Sequence, residues 1–166
     1  INVRAIAQGS SERNISVVID GAESIRALRA VHAGFYLSNQ TLSIGIVGPG
    51  LIGATLLGQL ASEAERLRSE FKIDLRVRGV ISTRGGLLAG DRVDLSDWEA
   101  GLAASKDSPD LGEFVDHIQT ESIPHAVLID CTASDSIAAD YGDWLGRGIH
   151  VITPNKKANT GDQSSY

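Results

Sequence analysis

At 166 residues the chain suits one medium domain, or one domain with part of another, and its 42% hydrophobic content can form a real core. A net charge of −6 argues against nucleic acid or an anionic membrane as partner, and no apolar run is long enough to span a bilayer. One cysteine, Cys131, excludes an internal disulfide framework and suits a reducing compartment.

No basic stretch followed by an apolar segment opens the chain, so secretion is not indicated. The chain has no methionine and begins at Ile1 inside a strand-like run, so we expect an excerpt of a longer polypeptide. Ile1 to Ala7 alternates as a strand does. Gln8-Gly9-Ser10-Ser11 reads as a turn. Asn14 to Asp20, with Ile15, Val17, Val18 and Ile19, reads as a second strand. Gly21 to Phe35 is helical in period, with Ile25, Leu28, Ala30, Val31 and Phe35 on one face and Arg26 and Arg29 turned away. Strand, strand and helix make half of a small α+β unit, with too little core to stand alone. Tyr36 to Gln40 reads as a linker.

The stretch Thr41 to Gly53 organises the rest. Leu42 to Val47 is apolar enough for a buried strand, and an apolar-periodic helix starts at about Leu51. Between them Gly48-Pro49-Gly50-Leu51-Ile52-Gly53 matches G-x-G-x-x-G with a strand before it and a helix after it. Gly48 suits a tight turn, Gly50 a close approach to a pyrophosphate, and Gly53 close packing of helix on strand. The N–H groups of the first helical turn and the helix dipole suit phosphates. A βα turn that uses glycine only for packing is the plain alternative.

The helix continues to about Glu70, with Leu56, Leu57, Leu60, Ala64, Leu67 and Phe71 at helical spacing and Glu63, Glu65, Arg66 and Arg68 as a solvated face. Asp74 to Ile81 is the next strand. Strand, helix and strand over about thirty residues predict a right-handed βαβ unit and a parallel sheet. Gly85 to Leu95 reads as loop. Ser96-Asp97-Trp98-Glu99 has capping-box spacing and starts a short helix, which Ser105 to Pro109 breaks. Leu111, Phe114, Val115 and Ile118 mark a further helix. Ala126 to Asp130 reads as a buried strand, Ser136 to Arg147 as one helix closed by Gly148, and His150 to Thr153 as a strand. The expected fold is α/β, Rossmann-like, with a mainly parallel sheet and helices on both faces, preceded by a partial α+β segment.

In such folds an acid roughly 20 residues on, at the end of the second strand, holds the ribose 2′-OH of NAD. Here that strand ends Ile81-Ser82-Thr83-Arg84. A guanidinium suits a 2′-phosphate, which favours NADP over NAD. The alternative is an ordinary surface arginine. Cys131-Thr132-Ala133-Ser134 follows a strand ending in Asp130, at the edge where ligands bind in open α/β sheets, and its small residues leave room for a nicotinamide or its ribose. Cys131 alone reads more readily as a small buried residue than as a nucleophile. Thr153-Pro154-Asn155-Lys156 follows the next strand, and Lys156 could bind or protonate a substrate oxygen there. His32, His117, His125 and His150 lack metal-ligand spacing, so no metal is expected.

With Gly48 to Gly53, Asp130-Cys131-Thr132 and Thr153-Pro154-Asn155-Lys156-Lys157-Ala158-Asn159 in order, the chain resembles homoserine dehydrogenase, above all the form fused to aspartokinase. Ile6-Ala7-Gln8-Gly9-Ser10-Ser11-Glu12, Asn14-Ile15-Ser16 and Ala27-Leu28-Arg29-Ala30-Val31-His32 resemble the end of that family's ACT regulatory region. The resemblance covers essentially the whole chain. It divides it into residues 1–40, ACT tail and linker, and residues 41–166, a cofactor domain cut before the substrate and dimerisation region.

The family reduces aspartate semialdehyde to homoserine with NADPH, reversibly. The resemblance therefore implies pyrophosphate binding at Gly48, Gly50, Leu51, Ile52 and Gly53, and a 2′-phosphate at Arg84. It implies a nicotinamide riboside along Thr132 and Ala133, cofactor binding also at Cys131, Pro154 and Asn155, and an active-site lysine at Lys156. Gln8 is similar to the glutamine that contacts a threonine effector. A homo-oligomer in the cytoplasm or plastid stroma is implied, with no nucleic acid and no membrane. The family's second lysine and acidic residues are expected beyond this chain, so the chain alone is expected to bind cofactor without turnover. The rival expectations are a threonine-sensing module without activity, or another NADP-dependent dehydrogenase, of semialdehydes or of dihydrodipicolinate type.

Overall fold

A computed structural model describes residues 1–8, 15–36, 40–105, 109–157 and 160. The chain divides into two compact units, Ile1–Ser38 and Asn39–Tyr166. The predicted turn at Gly9 to Ser11, Asn14, the linker residues 37–39, part of the break after Ser105 and the pair Ala158-Asn159 lie outside the described residues.

In the first unit β1 (Val3–Gln8) pairs antiparallel with β2 (Ile15–Ile19), in the register Gln8↔Ile15 and Ala7↔Ser16. Asp20 then accepts from the backbone N–H of Ala22 and starts a 3₁₀ turn, Gly21–Glu23, that runs into α1 (Ser24–Tyr36). An Arg4–Asp20 ion pair at 2.9 Å ties β1 to that turn. None of residues 1–8 and 15–31 is buried. Ile6 is 68% exposed and Leu28 72%, so the apolar stripes of the hairpin and of α1 find no cover among the described residues.

The second unit is a five-stranded sheet in the order β5-β4-β3-β6-β7. β3 (Gln40–Val47), β4 (Ile73–Ser82), β6 (His125–Asp130) and β7 (His150–Ile152) are parallel. The strand β5 (Gly85–Leu88) runs antiparallel to β4 and corrects the expectation of a loop from Gly85. Thr83-Arg84 carries no turn signature. Ser82 closes the hairpin instead, its hydroxyl accepting from Arg84 N–H at 3.2 Å and lying 3.2 Å from the Gly85 carbonyl. Pairing with β5 satisfies the outer edge of β4.

The sheet is covered on both faces. Alternation along β3, β4 and β6 sends Ile44, Ile46, Val80 and Ile129 to one cluster and Val47, Ile81 and Leu128 to the other. The helix α2 (Leu51–Glu70) seals the first cluster with fully buried Leu57. The helix α4 (Leu111–Ile118) seals the second with Phe114, Val115 and Ile118. Gly45 and Gly79 are paired across β3 and β4, and a Cβ on either would press into Phe114 or Ile118, so the glycine pair makes the seat for α4. A bulge makes Arg78 the extra residue, which is why Val77 and Val80 share a face.

Two helical expectations need correction. The helix α3 (Trp98–Ala104) has no side-chain cap, because the Ser96 hydroxyl bonds Asp94 at 2.6 Å and leaves the capping-box spacing unused. The stretch from Ser136 is two helices, α5 (Asp135–Ala139) and α6 (Tyr141–Gly146), separated at Asp140. The break turns Tyr141 and Trp144 into the core. Gly148, with φ of 79°, closes α6 as its sequence position predicts. Among the described residues no helix is long and apolar enough to cross a membrane.

Candidate dinucleotide cleft

Three strand ends meet at the Gly48 turn. Gly48 N–H donates to the Ile81 carbonyl at 2.9 Å, and Cys131 N–H to the Val47 carbonyl at 2.8 Å. The turn is thus held between the ends of β4 and β6. Only glycine fits at position 48: φ is 83°, and a Cβ would lie 2.5 Å from Thr132 Cγ2. Gly53 is required for a different reason, since a Cβ there would collide with the Gly48 carbonyl and lift α2 off the strand.

Above this turn opens a cleft of about 1000 Å³. Gly48, Pro49 and Gly50 form one wall, Ser82, Thr83 and Arg84 the second, and Thr132, Ala133 and Ser134 the third. Gly50 caps α2 without a side-chain hydrogen bond, and a Cβ on it would meet no atom within 4 Å. At the N-cap of this 20-residue helix the cleft is therefore open, and any larger side chain at position 50 would enter that space, where the orphan N–H groups of a first helical turn suit an anion. That cradle fits a pyrophosphate. Arg84 is exposed on the rim, and among the described residues its guanidinium has no ion-pair or hydrogen-bond partner.

Other predicted residues are not part of the cleft lining. Leu51 and Ile52 are exposed in the first turn of α2. Cys131 is half-buried against the α2-side cluster, and burial, with the Asp130 charge, pushes its thiol up, which suits a packing residue. Pro154 and Lys156 are exposed, and Asn155 is buried beneath the cleft. Gln8 is exposed at the end of β1 in the other unit.

Trp98 and Leu102 of α3, together with Leu111 and Ile137, add an apolar wall that the sequence did not announce. α3 reaches the cleft only because β5 folds back along β4, with the Ser105 hydroxyl donating to the Gly86 carbonyl at 2.6 Å. Nothing in the spacing of Trp98 signals that path.

Between the loops that follow β6 and β7 lies Asp130, fully buried. Its Oδ1 accepts from Thr132 N–H at 2.8 Å, and its Oδ2 accepts from the Tyr141 hydroxyl and from Asn155 Nδ2 at 3.1 Å. Burial alone would raise this carboxyl, but the donors Thr132, Tyr141 and Asn155 outweigh it and hold Asp130 below the usual carboxylate range. Burial and the bond to Asp130 push the Tyr141 phenol up to about 12. Among the described residues no group of three or more His, Cys, Asp or Glu is placed to hold a metal.

The family model described as the homoserine dehydrogenase NAD-binding domain matches residues 48–166, and an ACT domain model matches residues 1–35. Bifunctional aspartokinase/homoserine dehydrogenase 2, chloroplastic, of Arabidopsis thaliana is 53% identical over all of this chain, which spans 18% of that relative's length. The bifunctional aspartokinase/homoserine dehydrogenase of Haemophilus influenzae is 33% identical, again over all of this chain and 20% of its own length. A solved structure of homoserine dehydrogenase from Thermoplasma acidophilum matches 75% of this chain and 38% of its own, with TM-score 0.59 and 19% identity, a likeness of fold. A crystal structure of a Candida auris protein of unknown function matches 76% of this chain and 33% of its own, with TM-score 0.60 and 23% identity.

Proposed function

The chain belongs to the homoserine dehydrogenase NAD-binding family, and on that footing we propose that it is the NADP-binding part of a homoserine dehydrogenase fused to an aspartokinase. The family supports a nicotinamide dinucleotide in the cleft. The observation that carries the finer choice is Arg84, unpaired among the described residues and on the same cleft as the open first turn of α2.

In this reading Gly48, Gly50 and the N–H groups of Leu51 and Ile52 hold the pyrophosphate, with Gly53 letting α2 approach. Arg84 holds the 2′-phosphate bidentately. Thr132 and Ala133 line the nicotinamide riboside, while Cys131, Pro154 and Asn155 shape that end. The bound dinucleotide supplies the hydride that converts aspartate semialdehyde to homoserine. The Lys156 ammonium binds the carbonyl oxygen and gives it a proton as the alcohol forms. Residues 1–40 are the tail of an ACT region and a linker, and residues 41–166 are the cofactor domain. Transition-state stabilisation needs further positioned groups, so the 166-residue chain alone binds cofactor without steady-state turnover. The parent is a homo-oligomer, and the chloroplastic plant relatives support the plastid stroma over a bacterial cytoplasm.

Calorimetric titration with NADPH and with NADH tests the reading. NADPH should bind better, and Arg84→Ala should remove about 2 kcal/mol of that preference, some thirtyfold in Kd. Equal binding of the two by the wild-type chain overturns the NADP choice, and no binding of either overturns the cofactor site.

A second reading is favoured by the ACT match: a threonine-sensing module with Gln8 at its effector site. A threonine-dependent rise in melting temperature without any NADPH-dependent rise would favour it.

A further inference from the structure

Asp130 has no part in the chemistry just described, yet it is among the most deeply buried polar groups of the second unit. All its described partners are neutral donors. An uncompensated buried carboxylate is a poor way to gain stability, since apolar packing serves at least as well. What it offers is direction, because each donor must approach along its own line. Three segments do so. Thr132 N–H comes from the cleft wall, the Tyr141 hydroxyl from the start of α6, and Asn155 Nδ2 from the loop after β7.

The remaining atoms of these residues extend the lock. Asn155 Nδ2 also donates to the Ser134 carbonyl at 3.0 Å, and its Oδ1 accepts from Lys157 N–H at 3.1 Å. Lys156 therefore sits in the chain between Asn155 and a backbone N–H that the Asn155 side chain holds. The Thr153 hydroxyl donates to the Asp130 carbonyl at 2.9 Å, accepts from Asn155 N–H at 2.8 Å, and lies 3.0 Å from the Tyr141 hydroxyl. Among the described residues no link of this kind reaches Arg84 or Gly50.

We propose that Tyr141 is a positioning residue for the nicotinamide end of the cleft, acting through Asp130, Asn155 and Thr153 to hold the Thr132–Ser134 wall in register with the loop that carries Lys156. This inference rests on the dinucleotide reading of the cleft. Tyr141 itself is buried and is not among the residues that line the cleft.

The test separates the two ends of the ligand. NADPH and adenosine 2′,5′-bisphosphate, which keeps the adenosine and its 2′-phosphate but lacks the nicotinamide half, are titrated into the 166-residue chain and into its Tyr141→Phe and Thr153→Val variants. Each variant should bind NADPH about tenfold more weakly and the bisphosphate within about twofold of wild type. A general loss of structure would weaken both ligands alike, and that equal loss overturns the proposal, as does unchanged NADPH binding by folded variants. If scanning calorimetry shows Tyr141→Phe unfolded, Thr153→Val decides, because it keeps the phenol and removes only the bridging hydroxyl. Failure of the wild-type chain to bind either ligand overturns the dinucleotide reading, and the positioning role with it, before any substitution is made.

Discussion

Gly48 and Thr132 are packed so closely that a methyl group on the glycine would lie 2.5 Å from Thr132 Cγ2. One residue turns the chain from β3 towards α2, the other stands in a separate wall, and both line the cleft. Gly48→Ala meets this clash and a φ of 83° together. We expect it to destabilise the second unit by about 3 kcal/mol, seen as a lower urea midpoint at unchanged slope.

Gly50 should behave in the opposite way. A side chain there meets open space, so Gly50→Val should cost only about 1 kcal/mol, as a poorer N-cap. The same branched side chain covers the first turn of α2, and NADPH affinity should fall at least about tenfold. Denaturation and calorimetry on one sample check both halves. A variant as unstable as Gly48→Ala would mean that Gly50 serves packing.

Phe114 rests on the Gly45–Gly79 pair and is fully buried. Phe114→Ala should destabilise by about 4 kcal/mol, because neither glycine has a side chain to refill the space. A loss below about 1 kcal/mol in equilibrium unfolding would show that α4 does not depend on this seat.

Asp74 anchors a charge cluster at the far end of the sheet, facing Arg76 at 2.8 Å, Arg68 at 3.3 Å and Arg92 at 3.4 Å. Burial raises its carboxyl, but the bond from Arg76 and the charges of Arg92, Arg76 and Arg68 outweigh this and hold it below the ordinary carboxylate range when folded. A carboxyl lowered on folding stabilises fully above its unfolded pKa and loses that contribution as pH falls through the folded value. The Asp74 contribution to stability should therefore be level above about pH 5 and decline below about pH 4. The decline should be shallower in Asp74→Asn, measured by urea unfolding across that range. Equal slopes in the two proteins would remove Asp74 as a cause.

Arg68 in this cluster shows where reading by period stops. Its helical position marks it as solvated, and it is partly so, but the end of α2 also brings it to Asp74. The βαβ unit, the Gly48 turn and the position of Arg84 were legible because each rests on chemistry within a few residues: a strand period, a glycine that alone tolerates its backbone, a guanidinium directly after a strand end. β5 was not legible, since Gly85 to Leu88 becomes a strand only by pairing with β4. The capping-box reading failed because Asp94 competes for Ser96 at shorter range.

The mainly parallel α/β unit, the glycine turn between β3 and α2 and the arginine just past the end of β4 could be read from the chain alone. Those features follow from backbone sterics and side-chain period, which act locally. The tertiary structure alone decided that Trp98 walls the cleft, that α5 and α6 part at Asp140, and that Tyr141, Asn155 and Thr132 converge on one buried carboxylate. These residues are 11, 25 and 2 positions from Asp130. No periodicity relates such spacings. They are set by where strands end in a folded sheet, and by the need of a buried charge to gather donors from whatever segments pass within reach.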